Sequence, residues 1–170
     1  GKSGRTGEAR HRTLVAALEW SHSLLESNEH RLFGQLAVFV GSFDVEAVIA
    51  IAAARGLDEW TALDALSALV AKSLVERDPM VTGRYRLLET VRAFAATLPE
   101  GDRPDEATAR AHAEHYLSVL QETLLQLRNT DGVEATETLV ADAANIEAAL
   151  TWCGVNGHRK DAFVPFLANV

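Results

Sequence analysis

Residues 73–88 read SLVERDPMVTGRYRLL and interrupt a chain that is otherwise helical by pattern. Residues 73–77 and 84–88 are short strand candidates, because extended runs of this length between turn residues are typical of strands. The link between them carries Pro79 and Gly83, as a hairpin loop does. We therefore predict a β-hairpin in this part of the chain.

Four helices are predicted before this hairpin and one after it, because apolar residues recur there three and four positions apart. Thr13, Ser27 and Asp44 are candidate N-caps of the first three, and the fourth begins near Asp58. The predicted spans are about 13–25, 27–40, 44–54, 58–72 and 90–97. This order of helices, strand, wing and strand is that of a winged-helix domain, which we place at residues 13–98 after a flexible basic linker at residues 1–12.

Pro99, Gly101 and Pro104 punctuate the chain and predict a domain boundary at residues 98–105. Residues 105–170 are then helical by pattern, with long stretches at about 105–128 and 133–153 and a last, unfinished one. We expect antiparallel α-helical hairpins of tetratricopeptide-like type, so the predicted fold class is mainly α with one short β-hairpin.

The composition excludes several classes of protein. The net charge of −8 and the pI near 5.2 argue against a free-standing nucleic-acid binder, which usually needs a basic face. No apolar run is long enough to span a bilayer, no signal peptide is visible, and the single cysteine, Cys153, has no internal partner. We expect a cytoplasmic protein.

Direct DNA binding is the main rival interpretation, because many winged helices read the major groove with the helix before the wing. Here that helix would span about 58–72, and Lys72 stands only at its end. Acidic and methyl side chains there are poor partners for phosphate or bases, so DNA binding by this domain is not favoured. The non-core positions of the helix are Asp58, Glu59, Thr61, Asp64, Ala65, Ser67 and Ala68.

The sequence carries no motif that predicts catalysis. Gly1-Lys2-Ser3 ends like a phosphate-binding loop, but such a loop needs a strand and a glycine before it and a helix after it, and Gly4 and Gly7 disfavour that helix. His112 and His115 share a helix without a further ligand pair and are interpreted as structural, and Cys153 as a buried small hydrophobe. Trp20, Trp60 and Trp152 are predicted to be core or inter-helix anchors, with an interface as the alternative for Trp60.

Several separated blocks resemble the region that follows the ATPase core in bacterial STAND-type regulators, the large LuxR-like and AfsR-like transcriptional activators related to NB-ARC proteins. The blocks occur in the same order and cover about three quarters of the chain. They are residues 12–25 (RTLVAALEWSHSLL), 32–43 (LFGQLAVFVGSF), 69–75 (LVAKSLV), 83–95 (GRYRLLETVRAFA) and, more weakly, 112–116 and 145–152.

This resemblance implies a multidomain switch. An upstream P-loop module would bind ATP or ADP, the winged-helix domain would fold back on it at rest, and the helical array would sense a protein or small molecule. No cofactor is expected in this segment, and no enzymatic activity. In NB-ARC relatives a histidine of this domain approaches the ADP phosphates, whereas Leu88 stands at that place here.

The resemblance leaves four residues as candidates for contacts that depend on the nucleotide. Glu89 could hold the domain closed by an ionic contact, while Arg86 and Arg92 could supply positive charge beside Leu88. The predicted function is a non-catalytic regulatory segment that couples an ATPase to a helical sensor. The alternatives are a DNA-binding winged helix or a structural helical adaptor.

Overall fold

The computed structural model describes residues 3–129 and 132–155, and the side chains of residues 12–128 and 132–154. The chain is mainly helical, with one short hairpin of strands between its fourth and fifth helices. The elements are α1 (Ser3–Ser23), α2 (Ser27–Gln35), a 3₁₀ turn (Leu36–Val38), α3 (Val45–Ala53), α4 (Glu59–Ala71), β1 (Glu76–Arg77), β2 (Tyr85–Arg86), α5 (Glu89–Ala95), α6 (Glu106–Asn129) and α7 (Val133–Val155).

The first helix is longer than the sequence pattern predicts. α1 begins at Ser3, so most of the segment expected to be a flexible linker is helical, and Thr13 lies inside the helix instead of capping it. Alanine, arginine and glutamate between residues 8 and 12 are good helix formers and extend the amphipathic part toward the N-terminus despite Gly4 and Gly7.

Side-chain caps explain where the next helices begin. The carboxylates of Asp44 and Asp58 accept backbone N–H bonds from Ala47 (2.8 Å) and Thr61 (3.0 Å), as expected of N-caps. The prediction for Ser27 is wrong by one residue, since Glu26 is the N-cap and donates its N–H to the Glu29 carboxylate at 2.9 Å.

The hairpin is antiparallel, with Glu76 opposite Arg86 and Arg77 opposite Tyr85. Phe43 extends it, because its N–H and carbonyl both bond to Tyr85 at 2.8 Å. A third, single-residue strand thus lies between α2 and α3, as in a winged-helix domain. The predicted fold of a winged-helix domain followed by helices is confirmed.

The strands are shorter than predicted because the flanking residues serve the neighbouring helices. Ser73 has a positive φ of 58°, and the amides of Leu74 and Val75 both bond to the Leu69 carbonyl at the end of α4. On the other side, Leu88 is the N-cap of α5. These residues cannot also pair across the hairpin.

The core of the domain is formed by the apolar faces of α2, α3 and α4, closed by residues before and after the hairpin. The fully buried large side chains are Leu32, Phe33, Leu36, Phe39, Phe43, Val48, Ile51, Leu69, Leu74 and Val75. The Phe39 and Phe43 rings stack at 4.3 Å between centroids. Burial of this kind contributes about 1.5–3 kcal/mol for each large side chain.

α6 and α7 form an antiparallel hairpin, because two long helices in contact are joined by a three-residue connection. α6 also packs along α3, and Tyr116 of α6 lies against Phe39 in the core. Whether this hairpin opens a tetratricopeptide-like array stays a prediction. The last, unfinished helix predicted after residue 158 lies outside the described residues.

The expectation that the tryptophans are core anchors is wrong for two of them. Trp20 is 67% exposed and Trp60 is 76% exposed, whereas Trp152 packs half-buried against the core. Trp20 lies across α1 from the buried Leu18, so helical geometry turns it to solvent. Within the described residues, no helix is long and apolar enough to cross a membrane.

Candidate regulatory surfaces

The helix before the wing, α4, buries one face and exposes an acidic one. Its buried residues are Ala62, Ala65, Leu66 and Leu69. Its exposed residues are Glu59, Trp60, Asp64, Ser67 and Ala71. No lysine, arginine or histidine occurs in this helix. A negative face of this composition repels phosphate.

The lysine at the C-terminal end of α4 is already bound within the domain. Lys72 Nζ forms an ion pair with Glu29 and donates to the Leu24 carbonyl at 3.2 Å. Burial raises the pKa of Glu29, but the contacts with Lys72, the Glu26 N–H and His30 together outweigh this and lower it overall. Lys72 therefore ties the end of α4 to the start of α2 and presents little charge to a ligand.

The wing tip is apolar. The Asp78 carboxylate accepts the Met80 N–H at 2.8 Å, and Gly83 closes the turn with a positive φ of 80°. Met80 is 87% exposed at the tip. Arg77 lies over the Tyr85 ring, 5.9 Å from its centroid, at the wing's base. The tip thus suits contact with an apolar surface better than contact with phosphate.

The four residues carried over from the family resemblance lie together where β2 meets α5. Arg86 Nη2 pairs with Glu76 at 3.2 Å, and Arg92 Nη2 pairs with Glu89 at 2.9 Å. Leu88, at the start of α5, is 40% exposed. Its aliphatic side chain cannot bond a phosphate, so a nucleotide contact here has to come from its charged neighbours. The assignment of these residues stays a prediction.

The Arg86–Glu76 and Arg92–Glu89 ion pairs cost little free energy to break, so another charged group can replace either partner. Exposed pairs of this kind contribute about 0–1 kcal/mol, because water screens them. The Arg86 Nε is moreover buried with no hydrogen-bond acceptor among the described residues. We call Arg86, Leu88, Glu89 and Arg92 the α5 site.

A buried polar network ties the wing to α7. Arg84, just before β2, pairs with Asp142 and donates to the Ser42 hydroxyl (2.9 Å) and carbonyl (2.8 Å). The side chains of Arg84 and Asp142 are 9% and 3% exposed. Burial raises the pKa of Asp142, and the Arg84 guanidinium opposes that shift. We call Ser42, Arg84, Asp142 and Asn145 the clamp.

Asn145 completes the clamp with three contacts from one side chain. Its Oδ1 accepts the Val40 N–H at 2.9 Å and lies 3.3 Å from His112 Nε2, while its Nδ2 donates to the Ser42 carbonyl at 2.9 Å. It is fully buried. A buried amide with all these partners orients α7 specifically against the segment before α3.

The predicted domain boundary is held against α2 by several polar contacts. Gln35 Nε2 donates to the Asp102 and Arg103 carbonyls at 3.3 and 3.2 Å, and its Oε1 accepts from the Thr108 hydroxyl. A Cβ on Gly34 would overlap the Asp102 carbonyl oxygen, so the two backbones touch there. Arg55 also pairs with Asp105. This segment is therefore a fixed connection between the winged helix and α6.

A groove of about 420 Å³ lies between the wing and the two long helices. Among the described residues, its lining holds five carboxylates and one guanidinium, that of Arg84, which is paired with Asp142. The acidic residues are Asp44, Glu122, Glu134, Glu137 and Asp142. The groove is thus unsuited to anions such as nucleotides or nucleic acid.

His112, a candidate metal ligand, and Cys153, a candidate nucleophile, are buried in the core. Burial lowers the pKa of His112 to about 4, and its contact with Asn145 fits the structural interpretation. Burial raises the pKa of Cys153, which opposes thiolate formation. In residues 3–129 and 132–155, no three metal-ligating side chains come together.

The clamp residues were not singled out by sequence reasoning. Arg84 and Asp142 are 58 residues apart, and Val40 and Asn145 are 105 apart, so no local pattern links them. A signal was nevertheless present in α7. Asp142 and Asn145 lie at helical spacing with Ala149 and Cys153, on the face that is otherwise apolar and buried.

Residues 21–99 match a family model described as a winged helix-turn-helix domain. The chain is 40% identical over 156 residues, 90% of its length, to the "Putative HTH-type transcriptional regulator Mb0914c" of Mycobacterium bovis and equally to Rv0890c of Mycobacterium tuberculosis, which carries the same description. It spans 17% of each of these relatives.

A shorter match covers the "Uncharacterized protein Rv0894" of Mycobacterium tuberculosis, with 37% identity over 102 residues, 58% of this chain and 26% of that protein. No solved structure matches the chain significantly. The chain is therefore a winged-helix domain with following helices, similar to a limited part of much longer proteins described as transcriptional regulators.

Proposed function

We propose that this chain is the regulatory winged-helix module of a larger transcriptional regulator and that it acts through protein contacts. The clamp carries this proposal. Because a buried ion pair and a buried amide join the wing to α7, the winged-helix domain and the α6–α7 hairpin move as one body. A partner that shifts either part shifts the other.

The electrostatics of α4 favour protein contact over DNA reading. Its exposed face presents Glu59 and Asp64, and the one cation at its end is paired with Glu29. A large exposed aromatic such as Trp60 is typical of protein interfaces. This face therefore suits a basic or apolar protein surface.

The module's partner in the parent protein is, in our proposal, an upstream ATPase core. The family resemblance of the blocks at residues 12–25, 32–43, 69–75 and 83–95 supports this. The chain spans 17% of its relatives, so a parent protein of their length has room for such a core. The α5 site would meet that core, since its ion pairs are exposed and weak and can be replaced by contacts that differ between ATP and ADP. The phosphate by which ATP differs from ADP would be bound by the ATPase core and would change these contacts.

The test is transcription from a reporter driven by the full-length parent protein carrying Arg86→Ala, Glu89→Ala or Arg92→Ala. Basal output should change at least threefold for one or more of them, because the closed state loses an ionic contact. Glu147→Ala, an exposed change on α7, is the matched control. Output unchanged for all three would reject the α5 site.

Direct DNA binding is the second candidate, and the match of residues 21–99 to a winged helix-turn-helix model favours it. The name of the relatives, "Putative HTH-type transcriptional regulator", also favours DNA binding. On this alternative the chain alone would bind duplex DNA, and the affinity would fall steeply with salt as counterions are released.

A further inference from the structure

Two histidines join the end of α1 to the winged-helix core. His22, in the last turn of α1, and His30, in α2, lie with Nε2 and Nδ1 3.2 Å apart. Their rings are perpendicular, at 88°, with centroids 4.4 Å apart. The His22 ring also contacts Phe33 and Phe94, each at 5.6 Å between centroids. α1, α2 and α5 thus meet at this pair.

The geometry of the pair depends on its protonation. A nitrogen–nitrogen hydrogen bond needs one donor and one acceptor, so it exists when the two rings hold at most one extra proton. When both rings are cations, two N–H groups face each other and two positive charges lie within about 5 Å, which is repulsive. Acid therefore breaks this contact.

The groups around His22 and His30 do little to stabilise two positive charges at this place. Burial lowers the pKa of His22, His30 lowers it further, and Asp102, in the loop before α6, partly opposes this. Glu29 on α2 faces His30, but it is engaged by Lys72 from the end of α4. From α5 the facing side chain is the apolar Phe94.

Apolar burial holds the described part of α1, residues 12–23, at few positions. Among its described side chains only Leu18 is buried, while Leu14 and Trp20 are exposed. The histidine contact is therefore a substantial part of what docks the C-terminal half of α1.

We propose that the His22–His30 pair is a proton-sensitive latch, which holds the end of α1 against α2 and α5 at neutral pH and releases it when both rings are protonated. None of the four residues of the α5 site belongs to the latch, and the latch needs no nucleotide. It makes the position of α1 a function of pH.

Hydrogen exchange of the 170-residue chain at pH 7.5 and pH 5.0, corrected for the intrinsic rate, tests the latch. Exchange in residues 13–23 should be at least fivefold faster at pH 5.0 through local opening. Residues 45–53 of α3 should stay far more protected than residues 13–23 at both pH values, and they report the global loss of stability separately. In His30→Gln, which keeps a hydrogen-bonding group but cannot become a cation, this acid response should disappear. NMR titration should show the pKa of His22 moving back up in that variant.

Two results would overturn the latch. One is an α1 that exchanges at the same corrected rate at both pH values in the unaltered chain, a measurement that needs no variant. The other is an undiminished acid response in His30→Gln or, if that variant does not fold, in His22→Gln.

Discussion

Arg84, at the base of the wing, and Asp142, in the middle of α7, form an ion pair that is buried from solvent on both sides. The pair spans the predicted boundary between the winged helix and the helical region. Its guanidinium also bonds Ser42, in the turn before α3, so three segments distant in sequence meet at one side chain. The two regions are thereby locked into a single arrangement.

Removing one charge of this pair should be costly. Asp142→Ala leaves the buried guanidinium of Arg84 with only the longer contact to Asp44, at 3.8 Å, and should lower the free energy of unfolding by up to about 3–5 kcal/mol. Urea denaturation followed by circular dichroism measures this. The control is Glu137→Ala, an exposed carboxylate one and a half turns earlier on α7. A loss below about 1 kcal/mol would show that the pair is not desolvated.

Replacing both charges should be far milder. In the double variant Arg84→Met, Asp142→Leu no buried charge is left uncompensated, because the remaining carboxylate, Asp44, is partly exposed to water. The unfolding free energy should recover most of what Asp142→Ala loses. The clamp would then be shown to orient the two regions more than it stabilises them. A double variant as unstable as Asp142→Ala would contradict this.

The contact at Gly34 predicts an unusual glycine substitution. Alanine normally stabilises a helix interior by about 1 kcal/mol relative to glycine. Here its Cβ would push the Asp102 carbonyl away and break the bonds from Gln35, so Gly34→Ala should instead destabilise by about 2 kcal/mol or more. Gly101→Ala, where a Cβ meets nothing within 4 Å, is the matched control for thermal unfolding.

His112 predicts how stability depends on pH. Its folded pKa, lowered by burial to about 4, is below the value of about 6.5 in the unfolded chain, so the unfolded state binds the extra proton between these values. Its contribution is complete above about pH 6.5 and is lost as the pH falls toward 4, at up to about 1.4 kcal/mol per unit. His112→Gln should flatten this slope. An unchanged slope would contradict the assignment.

The exposed tryptophan on α4 should be dispensable for folding. Trp60→Ala should change the unfolding free energy by no more than about 0.5 kcal/mol, as surface substitutions do. Leu66→Ala, on the buried face of the same helix, should cost about 2–5 kcal/mol. Equal losses would show that Trp60 is packed in solution.

The fold was predictable where the signal is local. Asp44 and Asp58 mark helix starts through short-range caps, and Pro79 and Gly83 mark the wing, so the winged-helix order follows from neighbouring residues. The extension of α1 was missed because glycines near a helix end cost little. The tryptophan prediction failed because residue type was given more weight than position on the helix.

The sites were less predictable than the fold. The α5 site comes from family resemblance, and the structure adds only that its charges are paired with near neighbours. The clamp and the contacts of Gln35 depend on residues brought together by tertiary packing, which no spacing rule gives. A buried asparagine looks the same in sequence as an exposed one.

The central claim is that this module works through protein contacts and does not read DNA with α4. The most direct measurement is fluorescence anisotropy of a labelled duplex carrying the parent regulator's promoter, titrated with the chain at low salt. A matched variant, Glu59→Gln/Asp64→Asn, removes the carboxylates from the exposed face of α4.

We predict a flat titration for both proteins up to about 100 μM, the weak end of non-specific binding. Saturable, salt-sensitive binding by the unaltered chain that tightens when the α4 carboxylates are removed would contradict the claim, because it would place α4 against the duplex.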